Sequence, residues 1–205
     1  MRCIAAIAIA FPLSVGVLTS PAITRAAEAP PPPPYKAGPA VDGTLGVYAP
    51  LGRLRRVSSP GPWVRVAIGW ELTKWIGVFV EGDAAFLSTD RAPPPPGERG
   101  YVLFGFQGGL RTGIPIGLRV RIPFRFELGA HKTDDNGVLA TYGFGNAHNF
   151  GLSYAAMLGL EWRATGRHFG LAVEGGIRND ASLNATVRPE TPWAIVSGVV
   201  LRYTL

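Results

Sequence analysis

The chain has 205 residues, of which 47% are hydrophobic and 17% charged, with 20 Lys and Arg against 14 Asp and Glu and a single cysteine. The length fits one domain or two small ones; the apolar fraction excludes a disordered chain, and the lone cysteine excludes a disulfide scaffold. With 27 glycines and 19 prolines long helices are disfavoured, and beyond residue 24 no apolar run approaches the roughly 18 residues a membrane-crossing helix needs.

In chain order, Met1-Arg2 and the apolar stretch to Leu18 read as the n-region and h-region of a secretory signal. The small residues at Ala27 and Ala29 offer two cleavage positions, and residues 1–27 are taken as the signal. Cys3 precedes the apolar run, so it is badly placed to carry a lipid, and the mature chain is expected to lack cysteine. Pro30 to Pro34 and Tyr35 to Pro39 form a stiff polyproline-like stretch, so residues 28–42 read as a Pro-rich periplasmic linker. A second proline run, Pro93 to Pro96, falls between strand-like segments and reads as a loop.

From residue 43 to 205 the pattern has period two, the mark of strands. Thr44 to Ala49 is the weakest segment. Val64, Val66, Ile68, Trp70 and Leu72 then oppose Arg65, Ala67, Gly69 and Glu71. Ile76, Val78 and Val80 oppose Gly77, Phe79, Glu81 and Asp83, and Val102, Phe104, Phe106 and Leu110 oppose Gln107, Gly109 and Arg111. The clearest segment sets Leu118, Val120, Ile122, Phe124, Phe126 and Leu128 against Arg119, Arg121, Pro123, Arg125, Glu127 and Gly129. Two more place Glu161 and Arg163, then Glu174 and Arg178, opposite aliphatic and aromatic residues, and the last sets Ile195, Val199, Leu201, Tyr203 and Leu205 against Gly198, Val200 and Arg202.

Alternation alone fits a soluble sandwich or lipocalin-like barrel as well as a membrane barrel. Three features favour the membrane. The polar faces combine glycine with Arg, Glu and Asp, which suits a narrow lumen where guanidinium groups pair bidentately. Connections alternate between short turns and long loops. Aromatics, among them Trp63, Trp70, Tyr101, Trp162 and Tyr203, stand near segment ends, where headgroup girdles form. The expected fold is therefore all-β, an eight-stranded antiparallel up-and-down transmembrane β-barrel.

This arrangement resembles the small eight-stranded outer membrane proteins of Gram-negative bacteria, of the outer membrane protein A and X kind. The resemblance covers residues 43–205 and is one of architecture, not of a specific motif. Gly198, Leu201, Tyr203 and Leu205 resemble the C-terminal signal that this group presents to the barrel assembly machinery, with leucine in place of the usual terminal aromatic. It implies an integral outer-membrane protein in contact with outer-membrane lipid and lipopolysaccharide.

The inward faces would gather Arg65, Arg111, Arg119, Arg121, Arg125, Arg163, Arg178 and Arg202 beside Glu71, Glu81, Asp83, Glu127, Glu161 and Glu174. An ion-pair network plugging the lumen is expected, and with it a monomer of structural or surface-interaction role. The alternatives are a lipid A-modifying enzyme and a narrow ion channel. His148 and Ser153 are five residues apart, which puts them on opposite faces of a strand and defeats them as a catalytic pair. His131 beside Asp134 and Asp135 reads as a solvated loop rather than a metal site, and neither a cofactor nor a nucleic-acid stripe is indicated. Arg53, Arg55 and Arg56 fall in a long loop, where they would meet lipopolysaccharide phosphates.

Overall fold

Alternation at this length folds as hairpins, and the hairpins close on themselves. The structure, a computed structural model, describes residues 37–89, 100–117, 119–134, 138–164, 168–184 and 192–205. The expected signal, most of the Pro-rich stretch, the Pro93–Pro96 run, Leu118 and Asp135 lie outside the described residues. The eight strands are β1 (Gly38–Pro50), β2 (Gly61–Glu71), β3 (Ile76–Ser88), β4 (Gly100–Pro115), β5 (Val120–Thr133), β6 (Gly151–Arg163), β7 (Phe169–Asp180) and β8 (Trp193–Thr204). Each pairs antiparallel with its sequence neighbour, and β1 pairs with β8, for example Leu45 with Val199, so the sheet is a closed barrel without edges.

Side chains alternate strictly across the wall. On β5, Phe126 is 56% exposed on the outside, whereas Arg125 and Glu127 are buried inside. The outer surface is a band of Val, Leu, Ile and Phe, reaching 70% exposure at Phe106. An apolar exterior around a charged interior is the inverse of a water-soluble fold, and a bilayer is the medium that suits it. Among the described residues no helix is long and apolar enough to cross a membrane; the strands make the crossing.

Pro123 sits inside a central strand, where it can donate no ladder bond. It pairs with Gly113 of β4, while the β5–β6 register passes from Arg121–Glu161 directly to Phe124–Leu158. The missing donor thus faces β6, at a short gap in one ladder.

Two expectations are corrected here. β1 begins at Gly38, ahead of residue 43, so Asp42 belongs to the barrel and not to a linker. Extension of the strand is permitted because its inward positions there, Gly38 and Ala40, are small, and its outward Pro39 needs no donor at the strand's start. Trp63 and Tyr101, expected in the aromatic girdle, point inward and are buried. Each lies on the phase of its strand's interior residues.

The described parts of the connections after β1, β5 and β7 pack over one end of the barrel. They carry two short helices, α1 (Leu54–Val57) and α2 (Val138–Thr141), and a 3-10 turn, Ala181–Leu183. Leu54, Leu139, Phe144 and Leu183 join Tyr48, Trp63, Tyr101, Leu103 and Val196 in one apolar cluster that fills the mouth of the barrel.

Candidate functional site: the locked lumen

Below the apolar cluster the interior is ionic. Among the described residues, Arg65, Arg111, Arg121, Arg125, Arg163, Arg178 and Arg202 pair there with Asp42, Glu71, Glu81, Asp83, Glu127, Glu161 and Glu174. Alternation brings them together, since every one stands on the inward phase of its strand. Glycine makes the room: a Cβ at Gly113 would lie 1.9 Å from Arg121 Nε, and one at Gly170 would lie 3.0 Å from Glu161 Oε1.

The pairs form three tiers. Nearest the short turns, Arg111 donates to Asp42 Oδ2 at 2.6 Å and to Glu71 Oε1 at 2.5 Å. Arg202 lies 2.8 Å from both Asp42 Oδ1 and Glu161 Oε2. Arg163 closes this tier at the rim, 3.0 Å from Glu161 with its side chain 25% exposed, and Arg121 stands 3.9 Å from Glu71.

At mid-height Arg65 reaches Glu127 and Glu174, each at 2.9 Å. Arg125 donates to Glu81 at 2.5 Å and to Glu127 at 3.1 Å, with its guanidinium 4.0 Å above the Phe79 ring. Its third contact, to Asp42 at 3.1 Å, ties this tier to the one below.

In the upper tier Arg178 bonds to Asp83 and approaches Glu127 at 3.4 Å. Trp63 Nε1 donates to Asp83 at 2.7 Å. His131 stands between two carboxylates, Nε2 at 2.6 Å from Asp83 and Nδ1 at 3.2 Å from Asp180. Tyr48 and Ser153 both donate to Asp180, at 2.7 and 2.8 Å. Charges with multiple partners at this depth are held by geometry, since losing one partner would strand the others away from water.

Arg119 is the exception to the expected set. It precedes β5, is exposed at the turn, and lies outside the lumen; the inward alternation of β5 begins only with Arg121. Besides Trp63 and Tyr101, three further interior residues escaped the sequence reading: Asp42, Asp180 and His131. All are in phase with recognised neighbours, Asp42 with Thr44, Asp180 with Arg178, and His131 with Glu127. Extending each strand by a few steps at period two would have found them.

The geometry bears on catalysis as well. Both ring nitrogens of His131 face carboxylates, and the Ser153 hydroxyl is spent on Asp180. His148 is exposed in the loop before β6, and His168 lies at a short turn with Nδ1 2.8 Å from the Thr204 carbonyl. No described histidine is therefore bonded to a serine hydroxyl as nucleophilic activation requires.

Arg55 and Arg56 are exposed on α1, while Arg53 is half-buried with its guanidinium 5.9 Å from the Phe144 ring centroid. At the far end of β8, Leu201, Tyr203 and Leu205 face outward, whereas Gly198 faces in, where a Cβ would meet the Leu45 carbonyl at 2.8 Å.

Closed strand order, charged interior and apolar exterior define the class: a small transmembrane β-barrel. No family model and no curated protein matches the chain. Among solved structures, Neisserial surface protein A is similar over 83% of this chain and 100% of its own, with a TM-score of 0.59 and 12% identity. The outer membrane protein OprG from Pseudomonas aeruginosa is similar over 83% of this chain and 98% of its own, at a TM-score of 0.47 and 12% identity. For Ail, the attachment invasion locus protein of Yersinia pestis, the figures are 82%, 97%, 0.45 and 9%. The likeness is one of fold, and it is to the group of small outer-membrane barrels that the sequence pattern resembles.

Proposed function

We propose that the protein is an integral outer-membrane barrel whose role is structural or surface-interactive, a sealed scaffold that presents its long loops outside the cell. One observation carries the reading: Arg65 and Arg125 cross the lumen at mid-height and share Glu127, at 2.9 and 3.1 Å. Among the described residues, an interior filled by such pairs and capped by the apolar cluster around Tyr48 and Leu183 leaves solutes no wide path, which favours a scaffold over a diffusion pore. A closed sheet offers no strand edge for pairing, which favours a monomer.

Partners follow from position. Exposed Arg55 and Arg56, with Arg53 beside them, suit the phosphates of lipopolysaccharide. The outward apolar row Leu201, Tyr203 and Leu205, with Gly198, is the segment offered to the barrel assembly machinery during insertion, after removal of a signal at residues 1–27.

Planar-bilayer recording of the folded full chain tests the reading. No stepwise conductance is expected. A stable conductance abolished by substituting Arg121 or Glu127 would replace it with a narrow ion channel. Acyl release from lipid A that is lost on substituting His131 or His148 would replace it with an enzyme.

A further inference from the structure

Among the described residues, the outward faces of the eight strands carry one charged side chain, Lys132. It stands at the long-loop end of β5, its ammonium 5.5 Å from the ring centroid of Phe104 and 5.2 Å from that of Phe150. The two rings hold the cation against the barrel wall. A charge on the lipid-facing wall is costly at the bilayer centre but suits the headgroup level, where phosphates lie.

Beneath it the wall is dented. The register sets Phe104 against Lys132, Phe106 against Ala130 and Gly108 against Leu128, with Gly82 beside Phe106 one strand over. An apolar groove of about 470 Å³ lies here, walled by Val66, Val80, Phe106 and Leu128 and floored by Gly82 and Gly108. Packing does not demand these glycines. A Cβ at Gly82 would lie 3.6 Å from the Phe106 ring and one at Gly108 3.5 Å from the Phe79 carbonyl oxygen, both ordinary contacts. Glycine weakens a strand, so the dent is kept where the fold does not call for it. Gly43 and Gly175 also face outward with room to spare, but no outward cation stands on their strands.

From Leu128 to Lys132 the strand climbs about 13 Å, roughly half of the ~25 Å apolar band of such barrels. A headgroup held at Lys132 therefore lets a chain descend into the groove. We infer that this column is a lipid site: the Lys132 ammonium binds the phosphate of a phosphorylated lipid in the loop-side leaflet, and the Gly82–Gly108 groove takes one of its acyl chains. The inference rests on the membrane-spanning orientation proposed above.

The test is native mass spectrometry of the folded full chain in neutral detergent, with phosphatidic acid or phosphatidylcholine added and inorganic phosphate as competitor. Phosphatidic acid is expected to be retained over phosphatidylcholine, and inorganic phosphate should not displace it. Lys132→Ala should abolish the preference, and Gly108→Leu, which fills the groove, should lower retention of both lipids. Equal retention of the two lipids by the unmodified protein, a preference unchanged in both variants, or displacement by inorganic phosphate would each overturn the site. Heat-modifiable gel migration of the same samples separates the two readings. A barrel that shifts on boiling yet shows no preference loses only the lipid site, whereas a protein that migrates identically boiled and unboiled loses the membrane barrel itself.

Discussion

Arg65 on β2 and Glu127 on β5 belong to strands that share no ladder, yet their side chains meet across the lumen at 2.9 Å, both fully buried. The pair braces opposite walls of the barrel. Arg65 also holds Glu174 on β7 at 2.9 Å, so carboxylates from β5 and β7 meet on one guanidinium of β2.

Removing one member should therefore cost far more than removing both. Arg65→Ala is expected to destabilise the barrel by about 3–5 kcal/mol, because it leaves buried carboxylates without their partner. Arg65→Met combined with Glu127→Leu should recover part of that loss. Urea titration of the protein folded into vesicles, followed by tryptophan fluorescence, reads both. A single variant as stable as the unmodified chain would remove the brace from the account.

Glycines should sort by what surrounds them. A Cβ at Gly109 would lie 2.1 Å from the Phe126 carbonyl oxygen and 2.7 Å from Phe79 Cζ, whereas one at Gly43 meets nothing within 4 Å. Gly109→Ala should thus destabilise by about 1–3 kcal/mol through overpacking. Gly43→Ala should be neutral or slightly stabilising, since it restricts the unfolded chain. The same urea titration checks the contrast, and equal effects at the two positions would contradict it.

Depth should govern the cost of charge on the outer wall. Phe126 is exposed near the middle of β5 and Ile114 near the short-turn end of β4. Phe126→Arg is expected to cost about 2–4 kcal/mol and Ile114→Arg about 0–1 kcal/mol. Equal tolerance at both depths in vesicle-folded protein would argue against a bilayer around this band.

The barrel was legible because each strand repeats one simple signal, apolar out and small or charged in, for long enough that no helical period competes. Strand ends were less legible. Asp42 hid among prolines and glycines, and His131 beside the acidic pair that follows Thr133, where composition looks like loop although the alternation continues. Trp63 shows the limit of reading by residue type. Tryptophan near a strand end suggests a girdle, yet here its indole donates to Asp83 inside the lumen, with the guanidinium groups of Arg65 and Arg178 at 4.9 and 5.3 Å from its ring centroid. The apolar cap was not readable at all, because Leu54, Leu139 and Leu183 come from three separate loops and meet only in the closed fold.

The most direct measurement is the environment of nitroxides attached at Phe126→Cys and Val173→Cys, made singly and reconstituted in phospholipid vesicles. Both positions face outward at mid-height, so the spin labels should collide freely with oxygen and hardly at all with a water-soluble nickel chelate. Strong broadening by the chelate, with little by oxygen, would put these residues in water and contradict the transmembrane orientation.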